Sequence, residues 1–257
     1  MPELPEVERA AKLLRDRIVG KTIANFTLLH PSLRRHLGAR QLRSLRGASI
    51  GAVERRGKHQ LIVLRDGRVI RAHFRMTGDW HLDAIADQLP RFARATIAFT
   101  DGTRLVLDDS RALSTLELHP SRLAADVELG PEPDEPALTP EFLAARFAGR
   151  RAPIKPVLLD QKVIAGLGNI YAAEALWRAR ISPHTPAREL AMPQLRRLLD
   201  SIRAVIAAAT GVRYRDSSIA RLAVYDRAGK PCRRCRAAIE RIVQSGRSTY
   251  YCPNCQR

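Results

Sequence analysis

Hydrophobic positions in the first twenty residues follow a helical period. If the chain is helical from residue 3 to residue 19, one face carries the apolar side chains of Val7, Ala10, Ala11, Leu14 and Ile18. Gly20 follows, and glycine commonly ends a helix. The pattern therefore predicts that the chain begins with a helix that buries one face.

From residue 23 to about residue 118, the pattern changes to short apolar runs of the kind found in strands. Two Asp-Gly pairs, at residues 66–67 and 101–102, interrupt such runs and indicate hairpin turns. One hairpin is expected to pair Gln60–Arg65 with Arg68–His73, and the other Thr96–Thr100 with Thr103–Leu107. Several short strands behind one helix predict a β-sandwich.

The composition changes again after residue 129. Residues 130–140 are rich in proline and acidic side chains, which is typical of a linker. Thr139 followed by Pro140 is a helix start, and the chain from there to Thr210 is expected to be helical. The clearest amphipathic stripe comprises Leu195, Leu198, Leu199, Ile202, Val205 and Ile206. The expected fold class is therefore α+β with more than one domain.

The charge of the chain restricts its partners. There are 44 Lys and Arg against 26 Asp and Glu, and the sequence pI is about 11.0. Such an excess on a folded chain favours a polyanionic partner, with nucleic acid the first candidate and an anionic membrane surface the second. We find no long apolar run and no signal-peptide segment, and we expect no membrane association.

All four cysteines lie close together near the C-terminus. Cys232-x-x-Cys235 and Cys252-x-x-Cys255 are separated by a 16-residue spacer, which is the ligand arrangement of a tetrahedral zinc site. Four thiolates leave no open position for a catalytic water. We therefore predict one structural zinc ion in a protein of the reducing cytoplasm, on an arginine-rich hairpin suited to a nucleic-acid groove.

The first residues carry the most distinctive chemistry. Removal of Met1 would leave Pro2 with a secondary amine whose pKa is near ~8, so that a useful fraction is neutral and nucleophilic. An amine of this kind attacks a carbonyl carbon to form a Schiff base, and the neighbouring Glu3 is placed to move protons. The alternative is purely structural: proline starts the helix, and Glu3 and Glu6 complement its dipole.

Two loop segments have two interpretations each. Gly166-Leu-Gly168 is expected to lie between two helices, Val157–Ile164 and Ile170–Trp177. Its backbone N–H groups would suit a phosphate, and the alternative is a plain turn between helices. Lys58 follows Arg55-Arg56-Gly57 and is either a phosphate contact or a solvated turn residue.

Four further residues are singled out by their positions. His59 and His73 flank strands and are expected to be structural histidines with satisfied hydrogen bonds. Glu174 lies in an apolar helical run and is expected to be half-buried, hydrogen-bonded and structural. Met76 is expected in a loop after a strand, where an apolar tip on a basic surface suits insertion between stacked bases.

Together these segments resemble the formamidopyrimidine-DNA glycosylase / endonuclease VIII family over essentially the full chain. The resemblance rests on four separated motifs that occur in the family's order. They are the N-terminal Pro2–Val7, the lysine loop Arg56-Gly-Lys58, the segment from Leu158 to Leu176, and the finger from Gly229 to Cys255.

This resemblance implies a bifunctional DNA glycosylase and AP lyase. Such an enzyme excises an oxidised base and then cleaves the strand by β- and δ-elimination. The implied catalytic residues are Pro2 as nucleophile, Glu3 as general acid/base, Glu6 in support of both, and Lys58 at the reaction site. The implied partner is damaged, double-stranded DNA, and the protein is expected to be a monomer of the bacterial cytoplasm that acts on the nucleoid.

The resemblance also implies a set of DNA contacts. Lys58, Asn169 and Arg247 would hold phosphates around the lesion, and Lys155 would lie near it. Met76 would fill the gap left by the extruded nucleotide, which offsets part of the cost of extrusion.

Two departures from the family pattern leave the substrate base open. Where 8-oxoguanine-type members read Asp-Pro-Arg-Arg-Phe-Gly, this chain reads Asp109-Ser-Arg-Ala-Leu-Ser114, so the aromatic wedge is a leucine. Arg111 remains as the reader of the opposite base. The stretch Gly211 to Tyr225 is short for a loop that covers a flipped purine. The alternatives are an oxidised-pyrimidine enzyme, an AP lyase with little glycosylase activity, and a non-catalytic damaged-DNA-binding protein.

The resemblance and the composition together predict four segments. Residues 1–129 would form the catalytic helix and β-sandwich, and residues 130–139 the linker. Residues 140–226 would form a helix–two-turns–helix domain, and residues 227–257 a zinc finger with four cysteine ligands.

Overall fold

The computed structural model describes residues 2–210 and 222–257, which form two compact units. The first unit contains Pro2 and Glu6–Val127, and the second contains Glu3–Pro5 and Glu128–Arg257. Helix α1 spans Leu4–Ile18, within one residue of the predicted bounds at each end. Its predicted apolar face is fully buried, with Val7, Ala10, Ala11, Leu14 and Ile18 all at 0% exposure.

The first unit is a β-sandwich, as predicted. Its strands are β1 Ile23–Leu28, β2 Ile50–Arg56, β3 His59–Leu64, β4 Val69–His73, β5 Asp79–Ala84, β6 Ala93–Phe99, β7 Thr103–Asp108 and β8 Thr115–His119. One antiparallel sheet has the order β1-β6-β7-β5 and the other β2-β3-β4-β8. A 3-10 helix, Pro31–Arg35, and the short helix α2, Ala39–Ser44, lie between β1 and β2.

Both predicted hairpins are present. β3 pairs with β4 around Gly67, and β6 pairs with β7 around Gly102. Each glycine has a positive φ, 89° and 82°, which explains why the turn residue is glycine. The apolar faces of the two sheets and of α1 form one hydrophobic cluster that includes Leu14, Ile62 and Phe99.

The second unit is mainly helical, with α3 at Pro140–Phe147, α4 at Ile154–Leu158, α5 at Asn169–Ala179 and α6 at Met192–Ala209. Thr139 caps α3 as predicted, because its hydroxyl accepts a hydrogen bond from the backbone N–H of Phe142 at 3.1 Å. Of the predicted stripe on α6, Val205 is partly buried and the other members are buried. None of the described helices has both the length and the apolar character needed to cross a bilayer.

The expected helix Val157–Ile164 is wrong beyond Leu158, where α4 ends. The side chain of Gln161 bonds backbone groups that a helix would use differently: it donates to the carbonyls of Leu159 and Leu167 at 3.1 and 2.8 Å. Val163 and Ile164 are nevertheless fully buried. The apolar run that suggested a helix is therefore buried by turns instead.

The C-terminal hairpin consists of β9, Glu240–Gln244, and β10, Arg247–Tyr251, which pair antiparallel. It shares a small hydrophobic cluster with Ala173 of α5, Val224 and Ile239. The fold as a whole is the predicted α+β arrangement of β-sandwich, helical segment and finger hairpin.

Candidate functional site

The carboxylate of Glu3 lies at the N-terminus of α5. Glu3 is fully buried, its Oε1 accepts from the backbone N–H of Ile170 at 2.9 Å, and its Oε2 accepts from that of Tyr171 at 3.4 Å. These N–H groups have no partner inside the helix, and the helix dipole favours a negative charge there. The helix end that suggested a phosphate site therefore holds a side chain of this chain.

The turn Gly166-Leu-Gly168 is shaped to receive the N-terminal segment. The backbone N–H of Leu4 donates to the carbonyl of Gly166 at 3.1 Å. A Cβ on Gly166 would lie 2.4 Å from Leu4 Cδ1, and one on Gly168 would lie 2.2 Å from Glu3 Cδ. Both distances are impossible for a side chain, so the two glycines are required by the close approach of Glu3 and Leu4.

Pro2 lies just before α1, outside any regular element, and is partly exposed. Its ring nitrogen is one residue from a carboxylate that is fixed at a helix end. Glu6 is 5% exposed in the first turn of α1. The partly exposed Pro2 is therefore followed in the sequence by two buried carboxylates, at positions 3 and 6.

Lys155 and Asn169 meet at strand β10. Lys155 is 1% exposed, and its Nζ donates to Asn169 Oδ1 at 2.5 Å, Thr249 Oγ1 at 2.9 Å and the Ser248 carbonyl at 3.2 Å. Asn169 Nδ2 donates to the same carbonyl at 3.0 Å. Arg247 precedes Ser248 and is exposed at the start of β10. The structure therefore brings three predicted site residues to one strand.

Burial lowers the pKa of Lys155 to about 8, with Arg247 acting in the same direction and Glu3 opposing both. A lysine in this position is an ammonium at neutral pH with three polar partners. Ser248 and Thr249, which supply two of them, were not predicted. No pattern in the sequence marks them, because their contact with Lys155 depends on the folded position of β10.

Lys58 lies in the first unit, in the turn between β2 and β3. Gly57 before it has a φ of 56°, and Lys58 itself is 8% exposed. A solvated turn residue would be exposed, so the structure argues against that alternative.

The two histidines after Lys58 and before Met76 lie side by side. The rings of His59 and His73 are 4.7 Å apart and edge to face. Burial lowers the pKa of His59 to about 4, with Arg71 and Arg75 adding to the effect. It lowers that of His73 to about 3.

The prediction that both histidines are satisfied holds only for His73, whose Nδ1 accepts from the backbone N–H of Arg75 at 2.9 Å. His59 Nδ1 is buried and has no hydrogen-bond partner within the part of the chain that the structure describes. Its ring is held by packing against His73, which a sequence pattern does not reveal.

Two neighbouring loops of the first unit present apolar tips. The Met76 loop, residues 74–78, follows β4, and Met76 is 36% exposed. The Leu113 loop, residues 109–114, follows β7, and Leu113 is 44% exposed with Arg111 also exposed. Asp109 at the start of the second loop is completely buried.

Glu174 of α5 is hydrogen-bonded and structural, as its position predicts, but it is buried rather than half-buried because three backbone N–H groups satisfy its carboxylate. It is 7% exposed and accepts from the backbone N–H groups of Ala223, Val224 and Tyr225 at 2.8–2.9 Å. The prediction of a short covering loop from Gly211 to Tyr225 concerns residues 211–221 for the most part, and these lie outside the described residues.

The four cysteines form a metal site. Their Sγ atoms all lie within 4.8 Å of one another, with 3.9 Å between Cys232 and Cys255 and 3.5 Å between Cys235 and Cys252. A tetrahedron with Zn–S bonds of ~2.3 Å has S···S edges of about 3.8 Å. The donor set fits a structural zinc ion, as predicted.

Arg234 fixes the zinc module to α5. Its guanidinium lies 3.8 Å from the centre of the Trp177 ring, and its Nη1 donates to the Trp177 carbonyl at 2.8 Å. The sequence shows an arginine between two cysteines but not this contact, because Trp177 is distant along the chain.

Three family models match successive parts of the chain. They are the formamidopyrimidine-DNA glycosylase N-terminal domain at residues 1–116, the formamidopyrimidine-DNA glycosylase H2TH domain at residues 129–220, and the zinc finger found in FPG and IleRS at residues 229–257.

Full-length relatives and solved structures are also similar. A formamidopyrimidine-DNA glycosylase of Chloroflexus aggregans is 41% identical, covering 100% of this chain and 98% of the relative. One of Paracoccus denitrificans is 38% identical, covering 100% of both chains. The Lactococcus lactis enzyme non-covalently bound to AP-site DNA has a TM-score of 0.93 at 31% identity, covering 99% of each chain. MutM in complex with carbocyclic 8-oxo-G DNA has a TM-score of 0.93 at 32% identity, covering 100% of each chain.

Proposed function

Because this chain belongs to the formamidopyrimidine-DNA glycosylase family, it is a base-excision repair DNA glycosylase with AP lyase activity, and we propose that the amine of Pro2 is its nucleophile. The observation that carries this proposal is the buried Glu3 carboxylate at the N-terminus of α5. Its hydrogen bonds fix the residue next to Pro2. Gly166 and Gly168 allow this position, because a side chain on either glycine would collide with Leu4 or Glu3.

The chemistry follows from a secondary amine at the chain start. After removal of Met1, the nitrogen of Pro2 bonds to C1′ of the damaged nucleotide as the glycosidic bond breaks and the base leaves with a proton. Glu3 moves the protons in this step, and Glu6 supports it. The sugar ring opens to give an iminium. That cation draws electrons from C2′, which loses a proton as the bond between C3′ and the 3′ phosphate oxygen breaks. In the δ-elimination that follows, C4′ loses a proton as the bond between C5′ and the 5′ phosphate oxygen breaks.

Damaged DNA is the partner, and we propose that it is double-stranded and bound by a monomer. The net charge of +18 favours a polyanion. Lys58, Asn169 and Arg247 would hold phosphates, and Lys155 would lie near the lesion. Met76 and Leu113 would fill the space left by the extruded nucleotide, with Arg111 facing the opposite base. Cysteine ligands are suited to a reducing compartment, and the site of action proposed is the bacterial cytoplasm.

The proposed substrate is an oxidised base, of which an oxidised purine is the first candidate because similar structures hold 8-oxo-G or Fapy-dG DNA. The second candidate, an oxidised pyrimidine, is favoured by one observation: the exposed wedge is the aliphatic Leu113.

The test is a set of duplexes that differ only at one position. They carry 8-oxoguanine, a formamidopyrimidine, 5-hydroxycytosine or a preformed abasic site, and single-turnover rates are compared. Faster release of the purines supports the first candidate, and faster release of the pyrimidine supports the second. Cleavage of the abasic duplex alone would identify a lyase. Binding without any cleavage would contradict the enzymatic proposal.

A further inference from the structure

Both loops that carry apolar tips contain a residue in an unfavourable backbone conformation. Arg75, beside Met76, has a φ of 55°, and Ala112, beside Leu113, has a φ of 52°. Neither is a glycine, so each conformation opposes the steric preference of an L-residue. Conformations of this kind persist only where the surrounding structure over-determines them.

A single buried carboxylate organises the Leu113 loop. Asp109 Oδ2 accepts from the backbone N–H groups of Leu113 and Ser114, both at 2.8 Å, and Oδ1 accepts from that of Arg111 at 3.1 Å. The backbone on both sides of the strained Ala112 is therefore bonded to the same side chain. Asp109 is itself at 0% exposure, so its bonds do not compete with water.

The same carboxylate reaches the Met76 loop. The hydroxyl of Thr77 donates to Asp109 Oδ1 and accepts from the backbone N–H of Arg111 at 3.3 Å. Ser114 Oγ lies 2.8 Å from Asp109 Oδ2 and 3.1 Å from the Phe74 carbonyl, and so bridges the two loops. A Cβ on Gly78 would lie 2.4 Å from Ser114 Oγ, which shows how closely the loops approach.

Arg94 of β6 holds the start of the Leu113 loop from outside. Its Nε donates to the Asp109 carbonyl at 2.7 Å, and the Asp109 N–H donates to the Phe92 carbonyl at 3.0 Å. Burial raises the pKa of Asp109, but the hydrogen bonds from Thr77, Ser114 and Arg111 outweigh this effect and hold the pKa below its usual range. The carboxylate is therefore ionised and accepts only.

We infer that Asp109, through Thr77 and Ser114, is a positioning residue that joins the Met76 loop and the Leu113 loop into one rigid element. This inference rests on the proposed function, in which the two apolar tips enter the duplex. Two tips held in a fixed relation enter together, without the loss of loop freedom that would oppose insertion of two independent loops.

The test compares two substrates that need the element differently. Excision from a duplex requires the gap beside the extruded lesion to be filled, whereas borohydride trapping on a single strand with an abasic site requires only the Pro2 chemistry. The variants are Thr77→Val, which removes the hydroxyl that joins the loops, and Thr77→Ser, which keeps it. Thr103→Val is the matched control, because its hydroxyl bonds Asp101 at 2.7 Å in the β6–β7 turn, away from both loops.

Thr77→Val is expected to lower duplex excision about tenfold or more and to leave single-strand trapping unchanged, because small misplacements of positioned groups cost rate. Thr77→Ser and Thr103→Val are expected to match wild type in both assays. Asp109→Asn, which replaces one of two acceptor oxygens with an amide donor, is expected to show the same selective loss to a greater degree.

Full duplex excision by Thr77→Val would overturn the inference, as would an equal loss in both assays, which would indicate general destabilisation. If the wild-type protein could be trapped neither on the duplex nor on the single strand, the proposed function itself would be contradicted. The two failures are therefore distinguishable.

Discussion

The N-terminal segment Pro2-Glu3-Leu4 and the pair formed by the Met76 and Leu113 loops carry different parts of the proposed reaction, and they are held by different means. Glu3 and Leu4 are buried against a turn where any side chain on Gly166 or Gly168 would collide with them. The loops instead expose Met76 and Leu113 and depend on hydrogen bonds to one carboxylate, that of Asp109.

The difference separates chemistry from insertion into DNA. Close packing against the Gly166–Gly168 turn holds Glu3 and Leu4 in one position, and a nucleophile next to them must be held in a fixed geometry. Phe74 anchors the Met76 loop in the core of the sandwich, and hydrogen bonds to a buried acceptor let both loops keep exposed apolar tips and strained backbone. Substitutions at one region should therefore spare the function of the other.

Zinc removal should have the largest effect, because it should abolish the DNA binding on which both regions depend. The metal site holds the hairpin whose β10 bonds Lys155 and Asn169, and structural zinc contributes on the order of 10 kcal/mol to such modules. Chelation or Cys252→Ser should abolish DNA binding while the β-sandwich stays folded. Metal analysis measures the zinc content, DNA titration measures the affinity for DNA, and near-ultraviolet circular dichroism reports whether the β-sandwich is folded. Zinc-free protein that binds DNA normally would contradict this account.

Gly168→Ala should damage the chemistry and leave the loops intact. The new Cβ would lie 2.2 Å from Glu3 Cδ, so Glu3 must move, and displacement of about 1 Å costs on the order of 10²-fold in rate. Both duplex excision and trapping on single-stranded abasic DNA should fall. Gly38→Ala is the matched control, since its Cβ meets only Gln41 Oε1 at 3.7 Å. Loss of duplex excision alone would show that the turn does not position the nucleophile.

The pH dependence of stability should report the buried charge of Lys155. Its pKa is about 8 in the folded state against a usual 10.5, so between these values only the unfolded chain holds the proton. The unfolded state then binds more protons, and the free energy of unfolding rises with pH, by at most about 1.4 kcal/mol per pH unit. Below pH 8, Lys155 is protonated in both the folded and the unfolded state, so its contribution to the free energy of unfolding does not change with pH.

Urea unfolding of wild type and Lys155→Met between pH 7 and pH 10.5 measures this effect, because the difference between the two slopes isolates Lys155 from other titrating groups. Equal slopes would mean that the ammonium is not disfavoured by burial.

The smallest effect concerns phosphate contacts, which should be alike in the two units. Arg247→Ala and Lys58→Ala should each reduce the slope of log affinity against log salt by roughly one unit, because each contact releases about one counterion. Fluorescence anisotropy over a salt series gives the slope, with the exposed Arg178→Ala as a control that should not change it. An unchanged slope in both variants would remove these residues from the DNA contacts.

Local features of this fold could be predicted from the sequence, and long-range ones could not. The Asp-Gly turns, the apolar face of α1 and the Thr139 cap depend on residues close together in the sequence, and the zinc ligands form two pairs with a recognisable internal spacing. The Glu3–Ile170 bond joins residues 167 positions apart, and the Lys155–Thr249 bond joins residues 94 positions apart. Periodicity carries no information on such pairs.

The Leu113 loop shows the same limit at shorter range. Its departure from the family motif was visible in the sequence, but the positive φ of Ala112 and the bond from Thr77 were not. Both depend on the approach of two loops that the sandwich topology brings together. The predicted helix through Val163 is wrong for a different reason: residues buried in turns and residues buried in a helix form similar apolar runs in the sequence.

Borohydride trapping on DNA with an abasic site tests the central claim, that the chain start is the nucleophile. Protein with Met1 removed should give a covalent complex, because the iminium between Pro2 and C1′ is reduced to a stable amine. Protein that retains Met1 should give none, because the nitrogen of Pro2 is then part of a peptide bond. Equal trapping of the two forms, or tight binding of abasic DNA by processed protein without any covalent complex, would contradict the account.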